Sequence, residues 1–226
     1  MIIAIDGPSG AGKSTLGKML ASKMKLLYLD TGAMYRAATL VLSTNNIQLD
    51  ERELLTESVR NANVSLSGEP ENLRVSINEI DVTDKIRTPE ISQMASIISA
   101  IPEVRRVLVE RQRELANQNL KGCVLDGRDI GTVVFPHADV KFFLTADATA
   151  RAKRRFDEDL RRGNATNIEN TLAEINERDK RDVSREDSPL SIATDAIVVD
   201  TSELDLNQAF ERMCKIIDEK EFSEKK

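Results

Sequence analysis

The chain has 226 residues, 40% of them hydrophobic, and a formal net charge of −6. That length suits one domain with insertions, or two small ones, with a core that needs no disulfide staples. The acidic balance, the absence of Trp and an aromatic content of only 4% argue against a general nucleic-acid binder or a base-stacking platform, and no apolar run is long enough to span a membrane.

Ile2-Ile3-Ala4-Ile5-Asp6 is an apolar run of strand length, too short for a signal sequence. Gly7-Pro8-Ser9-Gly10-Ala11-Gly12-Lys13-Ser14 then fits G-x-x-x-x-G-K-[ST], and Leu16, Met19, Leu20 and Ala21 recur at helical spacing. Strand, glycine loop and helix are the context in which this motif binds phosphate. Glycines let the backbone wrap an anion, and the loop N–H groups with the positive end of the helix dipole point at it. Lys13 can reach the β- and γ-phosphates, and the Ser14 hydroxyl can ligate Mg²⁺.

Four more apolar runs read as buried strands, at 26–30, 123–126, Val140–Thr145 and 196–200. Helical patterns separate them at about 13–24, 33–44, 102–118, 147–162 and 167–182, with a last one at about 205–219. Alternating strands and helices predict an α/β fold with a mostly parallel sheet, and ligands in such folds sit beyond the carboxyl ends of the strands. Between about 63 and 83 the rhythm changes to period two, with turns at Gly68-Glu69-Pro70-Glu71-Asn72 and Asn78-Glu79. This predicts a small inserted antiparallel sheet, and a helical stretch at 91–100 leads back to the core. Cys123 and Cys214 read as buried thiols with no metal or disulfide spacing. The charged end at 219–226 is expected to fray.

Three clusters could carry chemistry. In Asp30-Thr31-Gly32-Ala33-Met34-Tyr35-Arg36, Asp30 or Thr31 could cap a helix and Arg36 could clamp a phosphate, although a capped surface helix would look the same. In Asp126-Gly127-Arg128-Asp129-Ile130-Gly131-Thr132, a carboxylate ends a buried strand, where phosphate-loop proteins often keep a Mg²⁺-associated acid. A glycine-flanked turn carrying Arg128 and Asp129 follows it. Arg178, Asp182 and Arg185, with Arg181 beside them, share a helical face that could close over phosphates, but spacing alone favours a solvated charged helix. Arg151, Arg154 and Arg155 on the 147–162 pattern raise the same choice, and Gly163 suits a hinge. His137, the lone histidine, sits in a Pro-containing turn and has no catalytic partner in the pattern.

Together these motifs resemble the bacterial cytidylate kinases along nearly the whole chain. The 126–136 segment is the most specific, supported by Ile5–Lys13, 29–36, Ala95-Ser96, Pro102–Arg105 and Glu177 to Leu190. The resemblance implies a nucleoside-monophosphate-kinase fold over 1–226. It has a five-stranded parallel core (about 1–62 and 100–226), a CMP-binding insert (about 63–99) and a helical lid (about 151–186). It implies transfer of the ATP γ-phosphoryl group to CMP or dCMP with Mg²⁺. Gly7, Pro8, Ser9, Gly10, Ala11, Gly12, Lys13, Ser14 and Thr15 should hold ATP, with Ser14 on the metal side. Thr31, Tyr35, Arg36, Arg128 and Arg178 should surround the acceptor. Ser96, Arg105 and Asp129 should read cytosine, Asp182 the ribose, and Arg185 should enter from the lid; Lys13, Arg128, Arg178 and Arg185 would serve transfer itself. A cytoplasmic monomer that takes nucleotides, and neither nucleic acid nor membrane, is expected. The rival readings are a kinase for UMP or another small acceptor, a phosphate-loop switch driven by hydrolysis, and a non-catalytic sensor.

Overall fold

The computed structural model describes residues 1–224, with side chains described through residue 220. The chain opens with β1 (Ile2–Asp6), the phosphate-loop turn, α1 (Lys13–Met24), β2 (Leu27–Asp30) and α2 (Thr31–Thr44). Then come α3 (Arg52–Asn61) and three short strands, β3 (Val64–Ser67), β4 (Arg74–Ile77) and β5 (Ile80–Asp81). Helices α4 (Pro89–Ile98) and α5 (Pro102–Asn117) return to β6 (Cys123–Gly127) and β7 (Val140–Thr145). The chain finishes with α6 (Ala148–Arg161), α7 (Ile168–Ser184), β8 (Ile197–Asp200) and α8 (Leu206–Glu224).

The five long-range strands form one parallel sheet in the order β2-β6-β1-β7-β8. Its strands are apolar on both faces because helices cover both. Ile3, Ile5, Val124 and Phe142 turn to one side and meet Leu16 and Leu20 of α1 and Met213 and Ile217 of α8. Ala4, Leu29 and Leu125 turn to the other and meet Val109 and Ala116 of α5. With β1 central, the chain winds first toward β2 and then toward β8, so the carboxyl end of β1 lies where the winding reverses. This is the position at which open α/β sheets bind ligands.

The antiparallel sheet β3-β4-β5 forms as expected. Val64, Val75 and Val82 press it onto Ala33, Met34 and Ala37 of α2. Both cysteines are free and buried, in line with the sequence. Boundaries of the predicted elements hold to within two residues at most ends; α8 is the exception, running through most of the segment expected to fray. Residues 225 and 226, the rest of that segment, lie outside the described residues.

Three local expectations change. Helix α3 was absent from the predicted pattern: ten residues bury only Leu55 and Val59, too thin a stripe to stand out among the charges. The turn expected after Asp126 is a bend followed by a π-helical turn at Ile130–Val134. Its wide bonds, Phe135 N–H to the Ile130 carbonyl (2.7 Å) and Val134 N–H to that of Asp129 (3.1 Å), shift the chain by one residue relative to an α-helix, as often happens at functional sites. Finally, α7 ends at Ser184 and Arg185 is extended, so Arg185 is not the third member of a helical stripe.

Candidate active site

At the carboxyl end of β1 the chain must turn under the neighbouring strand. Gly7 takes φ +144°, and a Cβ there would stand 2.0 Å from the Leu144 carbonyl oxygen. The loop then opens onto the start of α1. Lys13 lies back across it, with Nζ donating to the Pro8 carbonyl at 2.6 Å. Burial, reinforced by the Arg128 guanidinium, draws the Lys13 ammonium well below the ordinary lysine range. No acid among the described residues is bonded to it, which suits it to a phosphate.

Asp126, at the end of β6, is the hub beside the loop. Its two carboxylate oxygens accept from Ser14 Oγ (2.8 Å) and Tyr28 OH (2.8 Å), and its carbonyl accepts from Thr31 Oγ1 (2.6 Å). Asp30, and not Thr31, caps α2, accepting from the Ala33 N–H at 2.7 Å. Burial and nearby Asp30 push the Asp126 carboxyl up, while Lys13, Ser14 and Tyr28 pull it back. Burial, with Asp126 and Asp30 beside it, lifts the Tyr28 phenol well above its usual range, so it stays a donor. A hydroxyl and a carboxylate are hard oxygen donors of the kind Mg²⁺ takes when phosphates complete its shell.

Asp6 ties the loop to the next segment. Its carboxylate accepts from the N–H groups of Ile130 (2.8 Å) and Gly131 (2.7 Å), which caps the π-turn from another strand. Burial pushes the Asp6 carboxyl up to about 6, despite these two donors. The folded state thus holds this proton more tightly than the unfolded chain. The stability it contributes is full below about pH 4 and is lost as pH rises through about 6. A ¹³C carboxyl titration of the native protein should place the Asp6 midpoint near 6; a midpoint near 4 would refute the assigned environment.

Across the cavity the arginines gather. Arg128 Nε donates to Asp182 Oδ2 at 2.7 Å, bridging the β6 turn to α7. Burial works to raise Asp182, but Arg128, Arg178 and Arg185 outweigh it and hold it below the ordinary carboxylate range. Burial and Arg128 draw Arg178 down to about 9. Nε of Arg36, Arg178 and Arg185 and Nη2 of Arg185 are buried with no hydrogen-bond partner among the described residues. The α7 face is therefore not the solvated stripe that spacing favours: Asp182 is 2% exposed and Arg185 8%. Buried cations with spare donors form a cradle for an anion.

Beside them, Arg105 and Asp129 form a buried ion pair. Arg105 also donates to the Ser99 carbonyl at 2.8 Å and lies 5.7 Å from the Tyr35 ring centre. The Tyr35 hydroxyl is buried with no partner among the described residues, and burial pushes it up to about 12. Ser96 is buried as well, but its hydroxyl accepts from Arg181 of α7 at 2.8 Å.

One cavity of about 1060 Å³ joins these groups. Ser9 to Thr15 line one end, with Lys13 and Ser14 facing Asp126. Thr31, Tyr35, Arg36, Arg105 and Arg128, then Asp129, Arg178, Asp182 and Arg185, line the rest. Of the predicted site residues, Gly7, Pro8 and Ser96 do not line it: Gly7 packs against the Leu144 carbonyl, the Pro8 carbonyl takes Lys13, and Ser96 is turned to Arg181. Arg154 lines it while bonding Thr201 Oγ1 at 3.0 Å. Arg151 instead serves as a pin, donating to the carbonyls of Ala146 and Ser9 and pairing with Asp179 at 2.6 Å. His137 is exposed and apart from the cavity.

The sequence model for cytidylate kinase matches residues 3–219. The chain belongs to the cytidylate kinase family. Among similar proteins, a cytidylate kinase of Caldanaerobacter subterraneus subsp. tengcongensis is 48% identical, covering 95% of this chain and 93% of that protein. A cytidylate kinase of Bacillus subtilis is 43% identical over 96% of both chains. A crystal structure of an uncharacterized protein from Eubacterium ventriosum superimposes with TM-score 0.53 at 16% identity, over 97% of this chain and 98% of that one; this likeness concerns the fold alone. Membership makes the chain a phosphotransferase, a nucleoside-monophosphate kinase. No helix among the described residues is long and apolar enough to cross a membrane. One participant in this cytidylate kinase site carried no sequence signal: Tyr28 reads as strand core. Arg181, which the charge pattern places beside the 178–182–185 face, bonds Ser96 and does not line the cavity. Asp6 was visible only as an acid at a strand end.

Proposed function

We propose that the chain transfers the γ-phosphoryl group of ATP to CMP or dCMP, giving CDP or dCDP and ADP. One observation carries this reading: a phosphate loop and a set of buried guanidinium groups with spare donors open onto the same cavity. Phosphoryl transfer asks chiefly for alignment and charge neutralisation. In this reading the loop from Gly7 to Thr15 holds the ATP phosphates, and Lys13 swings from Pro8 to the β- and γ-oxygens. Arg36, Arg128 and Arg178 grip the acceptor phosphate, with Thr31 and Tyr35 beside it. Arg105 and Asp129, with Ser96, read cytosine through a donor and acceptor set that penalises a base unable to pair with it. Asp182 takes the ribose. Arg185, carried at the end of α7, meets the charge that moves between the two nucleotides, so no dedicated general base is needed.

Ser14 and Asp126 are the residues that would hold Mg²⁺, which would supply positive charge against the phosphates. The chain would work as one unit, with a core at about 1–62 and 100–226, an acceptor insert at about 63–99 and a lid at about 151–186 closing to exclude water. We infer a cytoplasmic monomer that takes nucleotides and neither nucleic acid nor membrane; the acidic net charge supports the part of this reading that concerns nucleic acid.

The test is an acceptor panel with one enzyme stock, ATP and Mg²⁺. CMP and dCMP should yield diphosphates far faster than UMP or AMP. ATP hydrolysis that proceeds equally with or without CMP, and no CDP, would overturn the reading in favour of a hydrolysis-driven switch.

A further inference from the structure

Tyr28 lies in the middle of the short edge strand β2, 1% exposed, with its ring in the main core. A buried tyrosine usually finds some partner for its hydroxyl, often a backbone carbonyl. Here the hydroxyl crosses to the neighbouring strand and donates to Asp126 Oδ1 at 2.8 Å. Asp126 Oδ2 takes the Ser14 hydroxyl, also at 2.8 Å. The two donors hold the carboxylate from both sides, and its plane is set by a phenol on β2 and a hydroxyl on α1.

Helix α1 is built to admit that phenol. Gly17 stands inside the helix, where glycine costs roughly 1 kcal/mol relative to alanine. A Cβ at Gly17 would come within 3.0 Å of Tyr28 Cε2 and 3.5 Å of Ile5 Cδ1. The missing side chain leaves the space the ring occupies. The Lys18 ammonium sits 6.0 Å from the ring centre. An ordinary core position would need neither the gap nor a polar ring edge. A phenylalanine would fill the same volume and leave Asp126 Oδ1 without its donor.

We propose that Tyr28 is a positioning residue for the metal side of the site, holding the Asp126 carboxylate in the orientation that serves a divalent cation shared with Ser14 and the ATP phosphates. This rests on the magnesium-ATP reading given above. Groups that orient metal-ligating side chains by hydrogen bonding typically change metal affinity or activity by about 10–100-fold when removed. Ser14 keeps its own bond to Asp126 in the variant, so the lower end of that range applies.

The test is Tyr28→Phe in the full chain, with Mn²⁺ as the spectroscopic stand-in for Mg²⁺. Mn²⁺ affinity is measured by electron paramagnetic resonance with a non-hydrolysable ATP analogue bound. CMP affinity is measured by calorimetry without metal, alongside thermal melting. The expected result is Mn²⁺ held about 10-fold more weakly, with CMP affinity unchanged within twofold. Turnover should recover in part at high Mg²⁺. Unchanged Mn²⁺ affinity overturns the proposal. An equal loss of CMP affinity together with a lower melting temperature also overturns it, because Tyr28 would then be a packing residue only. If the wild-type protein with the analogue holds no Mn²⁺, the magnesium reading itself falls, and the role of Tyr28 with it. If the wild type binds and the variant binds equally well, Tyr28 alone is wrong.

Discussion

Lys13→Met should lower kcat by about two to three orders of magnitude, the scale on which a single preorganised stabiliser of developing charge acts. The reason lies in how Lys13 is kept. Its ammonium is buried and pulled well below the ordinary lysine range by that burial and by Arg128. It donates to the Pro8 carbonyl at 2.6 Å, with no ion pair to an acid among the described residues. A cation held by one neutral carbonyl is far better satisfied against a phosphate chain gaining charge. The folded state binds this proton less tightly than the unfolded chain, so below the unfolded lysine pKa the charged group costs stability. Methionine keeps most of the volume and removes that cost. Turnover should therefore collapse while the melting temperature stays level or rises, the usual relation between a strained functional group and stability. Near-normal turnover in this variant would remove Lys13 from the transfer step. A large drop in melting temperature would show that its role is structural.

Asp129→Ala should have the largest effect on stability together with a loss of base selection. Asp129 is the carboxylate partner of Arg105, and the two are 5% and 2% exposed. Removing the acid leaves a buried guanidinium with the Ser99 carbonyl and the Tyr35 ring it lies over, and with Nε unpartnered among the described residues. Breaking one side of a buried pair costs about 3–5 kcal/mol. For a chain of this size that lowers the melting temperature by on the order of 10 °C. Recognition should fail separately. A site made to hydrogen-bond its ligand rejects an analogue that cannot pair by up to about 10⁴-fold, and that margin disappears with the group that supplies it. The double variant Arg105→Met, Asp129→Leu separates the two effects. An apolar pair of similar volume should regain most of the stability, while the preference for CMP over UMP stays lost. If the double variant preferred CMP as strongly as the wild type, the pair would not be reading the base.

Much of the site was legible because its pieces are contiguous. Gly7 to Ser14 announce a phosphate loop since the residue types, their spacing and the flanking strand and helix all lie within one short stretch. The segments at 29–36 and 126–136 were visible for the same reason. Helix α3 was not picked out, because it is short and charge-rich, and Leu55 and Val59 are the only residues it buries. The acid and base pattern at 178–185 pointed the wrong way. Spacing favoured a solvent-facing stripe, yet the helix ends at Ser184 and the fold turns Asp182 and Arg185 inward against Arg128 and its neighbours.

By itself, the sequence determined the α/β class, the inserted small sheet, the phosphate loop and the residue types available for phosphate and base. Each of these rests on local chemistry or on short-period patterning that a chain carries wherever it goes. Only the tertiary structure decided which of those groups meet. Asp6 caps a turn 124 residues away, Tyr28 reaches an acid 98 residues away, and Arg128 bonds Asp182 across 54 residues. Such pairings depend on strand order and on which face each helix buries. They follow from the summed packing of the whole core, which no single stretch of sequence encodes.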